Sequence, residues 1–171
     1  GIPLETDRFT PGCELPVFET RLGGIGIQIC YDFYNNPELS RIQALKGARL
    51  LVNPTGRSDL PRGRENLEHM TLVRAQENLL GAVSSNRVGD SHGPRWAGGS
   101  VIAQPAYPGF GEVLARADVH EELIVGTLNY EKIAAWHDVL PWREWRLGPQ
   151  GPVTRLVAEE FGRLAELVDG S

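Results

Sequence analysis

Residues Gly24–Arg41 (GIGIQICYDFYNNPELSR) constrain this chain more than any other segment. An apolar, β-prone run ends on Cys30. A polar, turn-prone stretch follows, and a helix then opens at Pro37-Glu38. A strand, a tight turn and a helix in this order build one half of a layered α/β unit. They also place a cysteine where a thiol can be lifted out of a sheet and exposed. Backbone N–H groups at such a turn lower a thiol's pKa, and the thiolate is the form that acts as a nucleophile. The same residue also reads as a core cysteine, because free cysteine is among the most buried residue types. Local pattern leaves both readings open.

The flanking segments extend the α/β pattern. Leu15–Thr20 and Ile25–Cys30 read as strands separated by a Gly23-Gly24 turn. Pro37–Gly47 has proline in its first turn and glycine at its end, as helices do. Ala48–Asn53 is a nearly continuous apolar strand, the kind a buried parallel sheet uses. Glu65–Leu80 reads as a helix with Leu67, Met70, Val73, Glu77 and Leu80 near one face, and Ala82–Asn86 as a strand. Gly89–Gly99 is a glycine-rich loop, and Ser100–Ala103, Glu112–Ala117 and Leu123–Leu128 are strands. Tyr130–Val139 is a short helix. Pro152–Val168 carries apolar residues at helical spacing. The expectation is one mixed α/β domain over 1–171, with 150–171 a C-terminal helical tail.

The 171 residues suffice for one sizeable core. A net charge of −5 argues against nucleic acid or an anionic membrane as partner. No apolar run approaches the roughly 20 residues that a membrane span needs. Two cysteines, Cys13 and Cys30, do not make a disulfide framework, so a reducing, cytoplasmic setting is expected. His69, His92, His120 and His137 are scattered without metal spacing, so neither a metal nor another cofactor is expected. The chain opens on Gly1-Ile2-Pro3 in what reads as mid-loop, which suggests a piece of a larger protein.

Several segments together match one pattern. Phe9-Thr10-Pro11-Gly12, Leu15-Pro16-Val17-Phe18, Ile25 to Asp32 and Pro37-Glu38 resemble the central stretch of the nitrilase superfamily of carbon–nitrogen hydrolases. Arg74-Ala75-Gln76-Glu77-Asn78 resembles the family's "RAxEN" helix. Ser85 to Gly89, Gly98-Gly99-Ser100, Pro105 and Gly111 to Leu114 resemble its later strand, loop and hairpin. The likeness runs from about Leu4 to Asn129 and rests on the order and spacing of the motifs. It implies a four-layer α-β-β-α sandwich, here incomplete at its N-terminus. It also implies that Cys30 attacks a small linear amide or a nitrile through a thioester or thioimidate, with the Tyr31 backbone N–H in the oxyanion site. Glu5 sits where the family's second glutamate commonly falls. A homo-oligomer is expected.

The resemblance is incomplete in one respect. The family's lysine and general-base glutamate lie upstream of this loop. The chain has two lysines, Lys46 and Lys132, and neither occupies the family position. Loss of one oxyanion donor costs about 2.7–4 kcal/mol, and loss of a general base roughly 10²–10⁴-fold in rate. This chain alone is therefore expected to be nearly inert. Asn35-Asn36 adds one residue before Pro37-Glu38 relative to the commonest form, in a loop that borders the pocket. Asp32 reads as a turn-orienting residue, and Asn86 and Arg87 as pocket or capping residues beside the glycine-rich loop. Arg74 and Glu77 read as an i,i+3 pair in the scaffold, and Cys13 as a bystander. Trp136, Trp142 and Trp145 read as packing beneath the tail or at a subunit contact. Two other functions stay open: a non-catalytic, partner-binding module, and a thiol enzyme pairing Cys30 with a histidine, best His92.

Overall fold

A computed structural model of the chain describes residues 7–90, 95–148 and 152–169. It has a mixed α/β architecture built on a six-stranded sheet. β1 (Val17–Thr20) and β2 (Gly23–Ile27) form an antiparallel hairpin. The chain then passes through α1 (Tyr31–Asn35) and α2 (Pro37–Leu45) into β3 (Ala48–Thr55), which runs parallel to β2. α3 (Gly63–Asn78) leads to β4 (Gly81–Asn86), parallel to β3. β5 (Val88–Asp90) and β6 (Arg95–Ala97) make a separate two-stranded ribbon. β7 (Val101–Gln104) and β8 (Glu112–Arg116) complete the sheet in the order β1-β2-β3-β4-β7-β8. α4 (Tyr130–Val139), α5 (Trp142–Leu147) and α6 (Pro152–Asp169) follow.

The two faces of the sheet differ. Gly26, Leu51, Asn53, Ala82, Ser84, Val101 and Ala103 alternate with their neighbours and are buried beneath the helices. Gly26 shows why glycine is needed there. A Cβ would sit 2.5 Å from Gln43 Oε1 on α2 and 2.8 Å from Leu51 Cδ2. Phe33, Leu51, Leu67, Leu79, Leu80 and Trp142 form the main apolar cluster between sheet and helices. The opposite face carries Ile25, Leu50, Val52, Val83 and Ile102, half-buried, and Ile27, exposed. The expected layers are thus represented by one sheet and one layer of helices.

Several expected elements shift. Leu123–Leu128 keeps a strand-like alternation, with Ile124, Gly126 and Leu128 half-buried and Leu123 and Val125 at 90% and 80% exposure. It pairs with no strand among the described residues, because it lies across the open sheet face, with Leu128 against Gly81 and Gly126 against Ile102. Part of the expected Gly89–Gly99 loop belongs to the β5–β6 ribbon. The buried face of α3 is Leu67, Thr71, Arg74, Ala75 and Asn78; Val73 and Glu77 are only half-buried. Polar side chains hold that face because each finds a partner inside. α6 forms as expected, with most of its apolar side chains exposed.

Candidate active site

Cys30 lies where the β2 chain leaves the sheet. Gln28 N–H still donates to Val52 O (3.0 Å), and Cys30 N–H donates to both Pro54 O and Asn53 Oδ1 (3.0 Å each). The chain then reverses. Cys30 adopts φ 51° and ψ −107°, a sparsely populated conformation for a residue with a side chain. Such backbone costs about 1–3 kcal/mol and persists only where its surroundings over-determine it. Here they do, because the Cys30 carbonyl accepts from the N–H groups of Phe33 (3.1 Å) and Tyr34 (3.3 Å), closing the first turn of α1. The thiol is half-buried at the edge of the main apolar cluster.

A buried polar chain braces this elbow. Asn53 accepts from Cys30 with its oxygen, and its Nδ2 donates to Ser84 Oγ (2.9 Å) and to the Tyr34 hydroxyl (3.3 Å). Ser84 Oγ meets Thr71 Oγ1 at 2.7 Å, and the Tyr34 hydroxyl donates to Thr55 Oγ1 at 2.8 Å. The network joins the ends of β2, β3 and β4 to α3 and α1. Burial raises the Tyr34 phenol above its ordinary pKa; the bonds to Thr55 and Asn53 oppose that, the Cys30 charge adds to it, and the Arg57 charge opposes it.

Arg74 brackets the elbow from behind. Its Nε donates to Phe33 O (3.0 Å), its Nη2 to Tyr34 O (3.1 Å), and its Nη1 pairs with Glu77 Oε1 (3.0 Å). One nearly buried guanidinium thus satisfies the last carbonyls of the five-residue α1, which has no C-terminal cap of its own. Arg74 and Glu77 do pair as expected, and the pair holds the cysteine turn. A second buried cluster fixes the approach to it: Gln28 Nε2 to Gln43 Oε1 (2.9 Å) and Ser40 Oγ to Gln28 Oε1 (3.0 Å) tie β2 to α2.

The other expected site residues are distributed unevenly. Glu5 and His92 lie outside the described residues. Tyr31 follows Cys30 directly, its side chain exposed; its N–H, the first of α1, has no acceptor among the described residues. Asp32 is exposed in the first turn of α1 and makes no side-chain cap. Asn86 serves the loop after β3: its Oδ1 accepts from Arg57 N–H (2.7 Å) and its Nδ2 donates to Gly98 O (2.6 Å). Arg87 stacks on Trp96 with its Cζ 4.5 Å from the ring centroid. Sequence reasoning missed Asn53, Tyr34 and Arg57. For Asn53 a signal existed: an asparagine closing the apolar run ARLLVN must find buried partners. Cys13 is exposed and Trp142 is buried in the main cluster.

Cys30 does not line either of the two larger cavities. One, of about 730 Å³, lies at the start of α3 among charged side chains including Arg64, Glu68, Arg116 and Asp118. The other, of about 930 Å³, is an apolar groove between α2 and α6 walled by Leu39, Ile42, Val157 and Phe161. No helix among the described residues is long and apolar enough to cross a membrane.

Comparison with known proteins agrees with this fold. The carbon-nitrogen hydrolase family model matches residues 2–138. An omega-amidase of Xenopus tropicalis is 31% identical over 143 residues, covering 83% of this chain and 50% of that protein. The crystal structure of Saccharomyces cerevisiae Nit3, a member of branch 10 of the nitrilase superfamily, superposes with a TM-score of 0.71 at 25% identity, over 80% of this chain and 49% of that one. A mutant of the amidase from Nesterenkonia sp. AN1, showing covalent addition of the acetamide moiety of fluoroacetamide at its active-site cysteine, superposes with a TM-score of 0.64 at 28% identity, over 84% of this chain and 52% of that one. The chain spans about half the length of these relatives.

Proposed function

Because this chain belongs to the carbon-nitrogen hydrolase family, we propose that it is the cysteine-bearing part of an amidase acting on a small linear amide, with Cys30 as nucleophile. The strained, fully pinned backbone at Cys30 carries the reading: a bystander cysteine has no need of φ 51° held by hydrogen bonds on both sides. The thiolate Sγ attacks the amide carbon, forming a C–S bond as the carbonyl electron pair moves onto oxygen. The Tyr31 N–H, which has no acceptor among the described residues, would donate to that oxygen. Collapse breaks the C–N bond, and the amine leaves with a proton. Water then cleaves the thioester to a carboxylic acid and restores the thiol.

Amide is preferred to nitrile because the omega-amidase and the Nesterenkonia amidase act on amides, as their names state. The lysine and general-base glutamate that the family employs are assigned to a part of the protein outside these 171 residues, so this chain alone turns over little or no substrate. Glu5 is retained as the second glutamate. A cytoplasmic homo-oligomer is part of the proposal, with the exposed Leu156, Leu164 and Leu167 of α6 available for self-association. The second sheet of the sandwich would cover Ile27 and Val52.

Mass spectrometry of the whole protein after brief exposure to fluoroacetamide tests the reading. One adduct at Cys30, lost together with amide hydrolysis in Cys30→Ala, is expected. Full hydrolysis by Cys30→Ala rejects it.

A further inference from the structure

We infer that a third, smaller cavity is a binding site for a small carboxylate that also carries a hydrogen-bond donor, such as a hydroxy acid. The cavity, of about 200 Å³, lies where the corner between α2 and β3 meets the C-terminal end of α3 and the helices α4 and α5. It falls below the roughly 300–1,000 Å³ of sites for larger ligands, so it suits a molecule of few heavy atoms.

Two polar atoms of its lining residues lack partners. Among the described residues, four buried side-chain nitrogens and oxygens bond to nothing, and two of them belong to this lining: Asn78 Oδ1 and Trp142 Nε1. Asn78 is 1% exposed and Trp142 8%. Turning the Asn78 amide round gives no relief, because its Nδ2 donates to Arg74 O (3.0 Å) and Glu77 Oε1 (3.3 Å), on residues outside the lining. Buried groups of this kind are paired as a rule. The amide oxygen calls for an N–H or O–H, and the indole N–H for an acceptor.

Charge selects among ligands that offer both. Arg49, His137 and Arg143 line the cavity, and no described aspartate or glutamate does. The two guanidiniums rest on neutral partners: Arg49 Cζ lies 4.2 Å from the centroid of the Tyr130 ring, and Arg143 Nη2 donates to Leu45 O (3.2 Å). Neither forms an ion pair with a described carboxylate. Water can satisfy the two unpaired atoms but brings no counter-charge. A carboxylate meets the charge and the indole together, and a hydroxyl beside it meets Asn78 Oδ1.

Isothermal titration calorimetry of the whole protein with lactate, and with propionate as the same acid lacking the hydroxyl, tests the inference. Lactate is expected to bind about tenfold more tightly than propionate, the effect of one hydrogen bond to a buried acceptor. Trp142→Phe removes the indole N–H and keeps a ring in the core; it should weaken lactate about tenfold. Arg143→Gln, at a half-buried side chain, should weaken both acids alike, because both carry the charge. The inference is overturned if lactate gives no saturable heat up to about 50 mM, or if the two acids bind within about twofold of each other. It is also overturned if lactate affinity in either folded variant stays within about twofold of the parent, since the acid then sits elsewhere, the surroundings of Cys30 included. Should Trp142→Phe not fold, Arg143→Gln and the comparison of the two acids decide.

Discussion

Asn53 and Tyr34 show how single side chains hold the turn at Cys30. Asn53 is fully buried, and each of its three partners also bonds a second group, so one amide ties three pairs into a single network. Asn53→Ala leaves Ser84 and the Cys30 backbone with fewer partners in a dry interior. It should lower stability by about 3 kcal/mol, read as a urea-midpoint shift at unchanged slope. It should also broaden the Cys30 environment, slowing the fluoroacetamide reaction. Tyr34 supplies a pH test. Burial, its largest influence, raises the phenol's pKa in the folded chain. The folded chain therefore retains a proton that the unfolded chain has lost. That contribution is complete below the unfolded value of about 10 and is lost as pH rises through the higher folded value. Tyr34→Phe should flatten the fall in stability above about pH 10, and urea titrations on either side of that point would show it. An equally steep fall in the variant rejects the assignment.

At the scale of elements, α1 is too short to stand alone, and Arg74 on α3 is what completes it. Arg74→Met should destabilise the chain by about 3 kcal/mol and slow alkylation of Cys30 while that of Cys13 stays constant. Equal effects on the two cysteines would point to general loosening instead. Gly26→Ala drives a methyl into Gln43 and Leu51, at a cost of about 1–3 kcal/mol. Much of this layer was legible beforehand. The β2, α2, β3, α3 and β4 segments announce themselves through apolar runs, a first-turn proline and helix-ending glycine, because local propensity and burial agree there. The elbow helix did not, since YDFYN has no periodicity to read and forms through Arg74 and the turn at Cys30. The polar face of α3 was hidden for the same reason: Thr71 and Arg74 are inside because Ser84, Phe33 and Tyr34, distant in sequence, meet them there. Cys30 itself was legible from its place at a strand end, whereas Arg57 was not, for a lone arginine in a polar loop carries no signal of its own.

The molecule as a whole has one finished and one unfinished surface. Helices seal one side of the sheet, while Ile27 is 44% exposed on the other and Leu123 and Val125 stand out from a strand-like segment that pairs with nothing described. Large apolar side chains exposed on this side suit a face that another layer covers. The 171-residue chain should bind the dye ANS several-fold more strongly than the whole protein, measured by fluorescence at equal molar concentration. Equal binding would argue against a second sheet over this face.

The clamp on Arg57 has an evolutionary corollary. Asn86 and Ala97 grip only the peptide groups of that residue, so the loop's path does not depend on which side chain it carries. The sulfur, by contrast, is positioned by β3, β4 and two helices acting together. Position 57 can therefore drift from cation to neutral or apolar residue while the loop keeps its path, so this position is free to vary where the turn at Cys30 is not.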